Sequence, residues 1–148
     1  CAEIIHHQRL KDDRMKMLTL GQQRFRVLEY VREKPYFVGL VEWIDDEEPT
    51  KDLRHEASEV EQLLRDVVRL SAKLTEQNIE LPQDLPALPK ELSYWVASNL
   101  YRVAPEQQSL LEMQDTAARL ERETEILTST RNHLAARTVL KDTLNQNS

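Results

Sequence analysis

Glycine is nearly absent: Gly21 and Gly39 are the only two among 148 residues. Without clustered glycines a backbone cannot wrap closely round a phosphate, which excludes a P-loop and a dinucleotide fingerprint. The single cysteine, Cys1, cannot form an internal disulfide, and such usage suits a reducing compartment. No apolar run approaches the roughly 20 residues that a bilayer-spanning helix requires. GxSxG turns, CxxC pairs and HExxH helices are missing as well, and with them the common signatures of hydrolase elbows and zinc sites.

What is present describes a folded domain. An apolar fraction of 40% with 31% charged residues supports a core and argues against a disordered tail. The net charge of −6 disfavours nucleic acid and anionic membranes, which are not attracted to an acidic surface. The opening CAEIIHHQRL starts inside an alternating apolar segment and reads as a chain cut within a strand. A lipidated Cys1 is the alternative, but membrane anchoring needs a second signal.

Four segments carry strand patterns. Ala2–Leu10 leads into the polar turn Lys11-Asp12-Asp13-Arg14, and Met15–Leu20 follows it. Arg24–Arg32 alternates as RFRVLEYVR, with Phe25 and Val27 on one face before a switch to Leu28 and Tyr30. Such a phase change predicts a bulge or a strand covered on both faces. After Glu33-Lys34-Pro35, the strand Tyr36–Ile44 sets Phe37, Gly39, Val41 and Trp43 on one side and Val38, Leu40 and Ile44 on the other. Apolar residues on both sides call for cover on both sides, more than four short strands can supply.

Beyond the acidic run Asp45–Glu48 the period changes from 2 to 3.6. Val60, Leu63, Val67, Leu70 and Leu74 predict an amphipathic helix from about Leu53 to Gln77. LPQDLPALPKEL is a stiff connector, because each proline fixes φ and removes a donor. Pro89 starts a short helix carrying Leu92, Trp95, Val96 and Leu100, and Pro105 starts PEQQSLLEM. Asp115 reads as the N-cap of a long helix with Ala117, Leu120, Leu127 and Leu134 inward and Asn145–Ser148 frayed. The two leucine seams are short, so antiparallel packing within one bundle is preferred over an intermolecular coiled coil.

Little in this chain encodes chemistry, and no catalytic, cofactor-binding or metal-ligating residue is assigned. His6 and His7 would point to opposite faces of a strand and cannot readily chelate one ion. His55 and His133 lie near no obvious carboxylate or cysteine partner in sequence and read as ordinary histidines, and Ser58 and Ser71 lack the strained turn or base of a nucleophile. The acidic linker Asp45–Glu48 reads as a solvated segment suited to a helix N-terminus. Arg24, Arg26, Arg32 and Lys34, interleaved with Phe25 and Tyr30, form a weak nucleic-acid signature.

Two stretches carry a family resemblance. LGQQRFRVLEYVREKPYFVGLVEWIDDEE resembles the hairpin of the LON domain, the amino-terminal substrate-recognition domain of Lon-type ATP-dependent proteases. VAPEQQSLLEMQDTAARLERETEILTSTRNHL is similar to that family's helical lobe, with Gln108, Leu110, Leu111, Glu112, Asp115, Leu120 and Leu127 at its motif positions. DDRMKMLTLGQQRFRVLEYVREKPY and ELSYWVASNLY look most like stand-alone LON proteins of photosynthetic bacteria and plastids. The family's opening β segment, with its LPLFPL-like strand and LFPG turn, has no counterpart before Cys1.

The resemblance implies an α+β fold: an incomplete PUA-like β pseudobarrel over residues 1–48, followed by a helical bundle over 49–148. It implies a protein that is not an enzyme and needs no cofactor, a module binding unfolded or tagged polypeptides, with a protease, a chaperone or a second copy as further partners. Tyr30, Tyr36, Phe37 and Trp43 are the candidate peptide contacts, and core or inter-lobe packing is the alternative for each. The other readings are the recognition part of a full Lon protease, an assembly subunit, and a PUA-like RNA-binding domain. Cytoplasm or plastid stroma is the expected location, with no membrane partner.

Overall fold

The structure, a computed structural model, describes residues 1–100 and 104–146. Among the described residues four strands precede four helices in an α+β arrangement, and the chain divides into two compact units, Cys1–Asp45 and Asp46–Ser148.

The first unit consists of two antiparallel hairpins. Strand β1 (Ala2–Arg9) pairs with β2 (Met15–Gly21), and β3 (Arg24–Arg32) pairs with β4 (Val38–Ile44). At the first turn Leu10 N donates to Arg14 O over 2.8 Å, with Asp13 at φ 63°, a left-handed conformation that aspartate tolerates better than most residues. Each hairpin remains a two-stranded sheet, so the β region is open, without barrel closure among the described residues. The incomplete pseudobarrel anticipated from sequence has this form. No residue of this unit is fully buried. The expected strand Tyr36–Ile44 begins two residues later, because Tyr36 and Phe37 belong to the turn.

The second unit holds the core. Helix α1 (Arg54–Thr75) follows Asp52, whose carboxylate accepts from Arg54 N at 3.0 Å. α1 ends at Glu76, in the left-handed conformation, φ 56°. Pro89 opens α2 (Pro89–Asn99), where its missing N–H is no loss. α3 spans Ala104–Glu112 and α4 spans Thr116–Gln146. Asp115 caps α4 as expected, its Oδ1 accepting from Ala117 N at 2.7 Å. Leu53, Val60, Leu63, Leu64, Leu92, Val96, Leu120 and Leu127 form the buried core, to which Val67, Trp95 and Ala117 add partly buried surface.

Two expectations are corrected here. α1 and α4 pack within one bundle but run parallel: Glu47 N donates to Gln114 O at 2.9 Å just ahead of both helices, and Lys141 Nζ donates to Leu74 O at 3.2 Å near both far ends. The long connection through α2 and α3 carries the chain back to its starting end, which short loops could not do. The terminal segment is also more regular than expected, since α4 continues through Asn145 and Gln146, while 147–148 lie outside the described residues.

The acidic linker is not uniformly solvated, which corrects a third expectation. The Asp46 side chain is 1% exposed and pairs at 2.8 Å with Arg119, whose side chain is 0% exposed. All five guanidinium N–H groups of Arg119 are engaged. Nε donates to Ser93 Oγ at 2.8 Å, one terminal nitrogen to Asp46 Oδ1 and Met113 O, and the other to Asp46 Oδ2 and Thr116 Oγ1. Tyr94 closes the cluster, its hydroxyl donating to Asp46 Oδ1 at 2.7 Å and its ring lying 4.0 Å below the guanidinium. One turn along α4, Glu123 is 0% exposed and neither carboxyl oxygen has a hydrogen-bond partner among the described residues. Burial pushes its carboxyl up to about 8, against an opposing pull from Arg119.

Candidate polypeptide-binding surface

The β3–β4 hairpin sorts its residues by face more completely than its sequence suggests. Phe25 lies opposite Trp43, Val27 opposite Val41, and Tyr30 opposite Gly39. The register slips between Val27 and Glu29, leaving Leu28 as the extra residue of a bulge. That slip restores Tyr30 to the face of Phe25 and Val27, and it is the phase change read in RFRVLEYVR. A second slip follows between Tyr30 and Arg32.

One face of the hairpin is therefore an apolar stripe. The Phe25 and Trp43 rings meet edge to face with centroids 6.0 Å apart, and Tyr30 and Phe37 tilt together at 5.4 Å. Gly39 separates these pairs: a Cβ there would stand 3.2 Å from Glu29 O and 3.3 Å from Val27 Cγ1. Arg24, Arg26, Glu29 and Arg32 pair with Ile44, Glu42, Leu40 and Val38 on the opposite face. Arg26 reaches Glu42 at 3.4 Å, and the Arg32 guanidinium lies 5.0 Å above the Tyr36 ring. Arg24 and Arg26, which alternate with Phe25 and Val27 in sequence, thus lie on the face opposite the stripe, while Arg32 meets Tyr36 at the turn.

All four candidate contacts are exposed: Tyr30 61%, Tyr36 64%, Phe37 69% and Trp43 54%. Tyr30 and Phe37 come together, Tyr36 stands beside them at the turn, and Trp43 sits at the other end of the stripe against Phe25. Phe25, Val27 and Val41 complete the face and were not among the candidates. Their alternation with Trp43 and Gly39 was the signal that could have included them. The β1–β2 hairpin likewise exposes Ile4, Met17, Leu18 and Leu20.

No group of His, Cys, Asp or Glu among the described residues is arranged to hold a metal ion, and no described helix is long and apolar enough to cross a membrane. The surface offers apolar contact and unpaired strand edges.

Residues 1–129 match the family described as the ATP-dependent protease La (LON) substrate-binding domain. The chain belongs to that family. Among curated relatives it is similar to Lon protease 2 of Myxococcus xanthus, 29% identical over 128 residues, covering 85% of this chain and 15% of the relative. The Lon protease of Anaeromyxobacter dehalogenans is 28% identical over 128 residues, again 85% of this chain and 15% of the relative. That of Dictyoglomus thermophilum is 28% identical over 131 residues, 84% of this chain and 16% of the relative. The chain thus spans about 15% of the length of such relatives.

Proposed function

We propose that the chain binds unfolded or tagged polypeptides through the open face of β3–β4, with Tyr30, Tyr36, Phe37 and Trp43 as contacts. The observation that carries this reading is the exposed stripe from Phe25–Trp43 to Tyr30–Phe37, on strands that each pair on one side only. An extended segment can add main-chain hydrogen bonds along such an edge while its alternate side chains rest on the stripe. Folded proteins have already satisfied both needs internally and compete poorly for the site.

The match to Lon proteases several times longer than this chain favours a setting in ATP-dependent proteolysis, the domain presenting substrates to a motor and protease or to a chaperone. The likeness to stand-alone LON proteins of photosynthetic bacteria and plastids is the finer part of the proposal. It rests on DDRMKMLTLGQQRFRVLEYVREKPY and ELSYWVASNLY, and cytoplasm or plastid stroma is its setting.

Fluorescence anisotropy against a reduced, carboxymethylated model protein and against the same protein folded tests the reading. The unfolded form binds and the folded form does not. Equal affinity for both, or none for either, overturns it.

A further inference from the structure

Glu123 is a buried acid that the peptide-binding surface does not use. We propose that Glu123 is a proton-operated latch on the segment entering the helical unit: protonated, it leaves Arg119 with Asp46, and ionised, it draws Arg119 away and loosens that segment.

The geometry supplies both states. Glu123 stands four residues after Arg119 on α4, a spacing that brings two side chains together on one helix face. Its two oxygens have no partner among the described residues, because the five N–H groups of Arg119 already serve Asp46, Ser93, Thr116 and Met113. Among the described residues, the donors within reach of a carboxylate at that position are those of Arg119, which it would take from Asp46. As a neutral acid it exerts no such demand.

The surroundings favour the neutral form in the folded bundle. The buried positions of α1 (Ala57, Val60, Leu63, Leu64) carry no charge. Among the described residues, the charged and titratable groups joined to this cluster are Arg119, Asp46 ahead of α1, Lys90 at 3.9 Å from Asp46 and Tyr94 of α2, with the Glu106–Arg122 pair at the α3 side. Of these, Arg119 is the one whose charge acts appreciably on Glu123, and burial outweighs it, holding the carboxyl up at about 8.

What the latch controls follows from chain position. Asp46 comes two residues after the end of β4 and is the first residue of the helical unit. Its contacts with Arg119 and Tyr94, and the bond from Glu47 N to Gln114 O, hold this entry segment against α2 and α4. Transfer of Arg119 to Glu123 removes the strongest of these.

Nuclear magnetic resonance of the full chain, with labelled glutamate side-chain carbons and arginine Nε, tests the proposal between pH 5 and 9.5. The Glu123 resonance, identified by its loss in Glu123→Gln, titrates with a midpoint near 8, and the Arg119 Nε–H resonance shifts with the same midpoint. In Glu123→Gln, or in Glu123→Met should the amide not fold, Arg119 stays unchanged over that range. A Glu123 midpoint in the ordinary glutamate range overturns the latch. So does an Arg119 signal that ignores the titration, or one that still responds in the variant.

Discussion

Arg119 and Asp46, 73 positions apart in sequence, form an ion pair of 2.8 Å with both side chains sealed from solvent. A buried pair of this kind adds little beyond what apolar residues could supply, yet losing one partner strands the other charge in a low-dielectric interior. Asp46→Ala should therefore destabilise the helical unit by about 3–5 kcal/mol, measured by urea unfolding followed at 222 nm. Arg119→Lys should also be costly, since an ammonium has three donors and no planar fork for Asp46 and Ser93 together. A loss below 1 kcal/mol for Asp46→Ala would mean that the pair is not held as described.

Leu127→Asp should unfold the bundle. Leu127 is 1% exposed within the core, and an unpaired carboxylate there would cost several kcal/mol in addition to the lost apolar contact. Arg131→Ala, one turn on, should change stability by less than about 1 kcal/mol, because Arg131 is only partly buried and lines an open groove with His55 and Asp66. Thermal unfolding of the pair, with the larger loss in the arginine variant, would reverse the facing of α4.

Sequence reading succeeded where the signal is local. The strand Arg24–Arg32, its phase change, the Asp115 cap and the Leu120–Leu127 stripe are all set by neighbours within a few residues, so their patterns survive in one dimension. The Asp46–Arg119 pair and the orphaned Glu123 were illegible for the opposite reason. Each acid resembles its solvated neighbours in the sequence, and only tertiary packing singles it out. The parallel course of α1 and α4 was hidden likewise, because period alone carries no information about direction. For the candidate surface, the aromatic residues themselves were readable. Their common face depends on the Val27/Glu29 register slip, which fixes which side chains meet.

Stability should fall as pH rises through the neutral range. Glu123 has its carboxyl raised in the folded state, from an ordinary 4.5 to about 8. The unfolded chain therefore releases this proton first, and between about pH 4.5 and 8 the folded form binds more protons. Its contribution is fully present below pH 4.5 and has been lost once pH passes about 8. The full change is on the order of several kcal/mol. Glu123→Gln should flatten this slope and be the more stable protein at pH 8. Parallel unfolding curves at pH 6 and pH 8 for wild type and variant check it, and an equal slope in both would remove Glu123 as the cause.

Amides of Ala2–Ile44 should exchange with solvent faster than those of Val60–Leu74. The first unit has no fully buried residue and each strand bonds on one side only, so local opening exposes little apolar surface. The α1 amides lie in a helix whose inner face is sealed by α2 and α4. Mass-spectrometric hydrogen exchange at one pH compares the two. Equal protection would mean that a second chain covers the hairpins in solution.

Polypeptide binding should depend on the stripe and tolerate salt. Phe37→Ser with Trp43→Ser removes an aromatic partner from each end of the face, and the two exposed changes should leave helicity at 222 nm intact. Buried aromatics dominate such contacts, so affinity for a reduced, carboxymethylated protein should fall by roughly 10-fold or more. Between 50 and 300 mM salt the wild-type affinity should change little, because apolar and main-chain contacts are weakly screened. RNA binding through Arg24, Arg26, Arg32 and Lys34 predicts the reverse, a steep fall with salt from counterion release. The position of Arg24 and Arg26 on the face opposite the stripe counts against it, since single-strand recognition stacks bases on aromatic rings within a basic groove. Salt-sensitive RNA binding that survives Phe37→Ser with Trp43→Ser, together with no affinity for the unfolded protein, would transfer the function to the opposite face of the same hairpin.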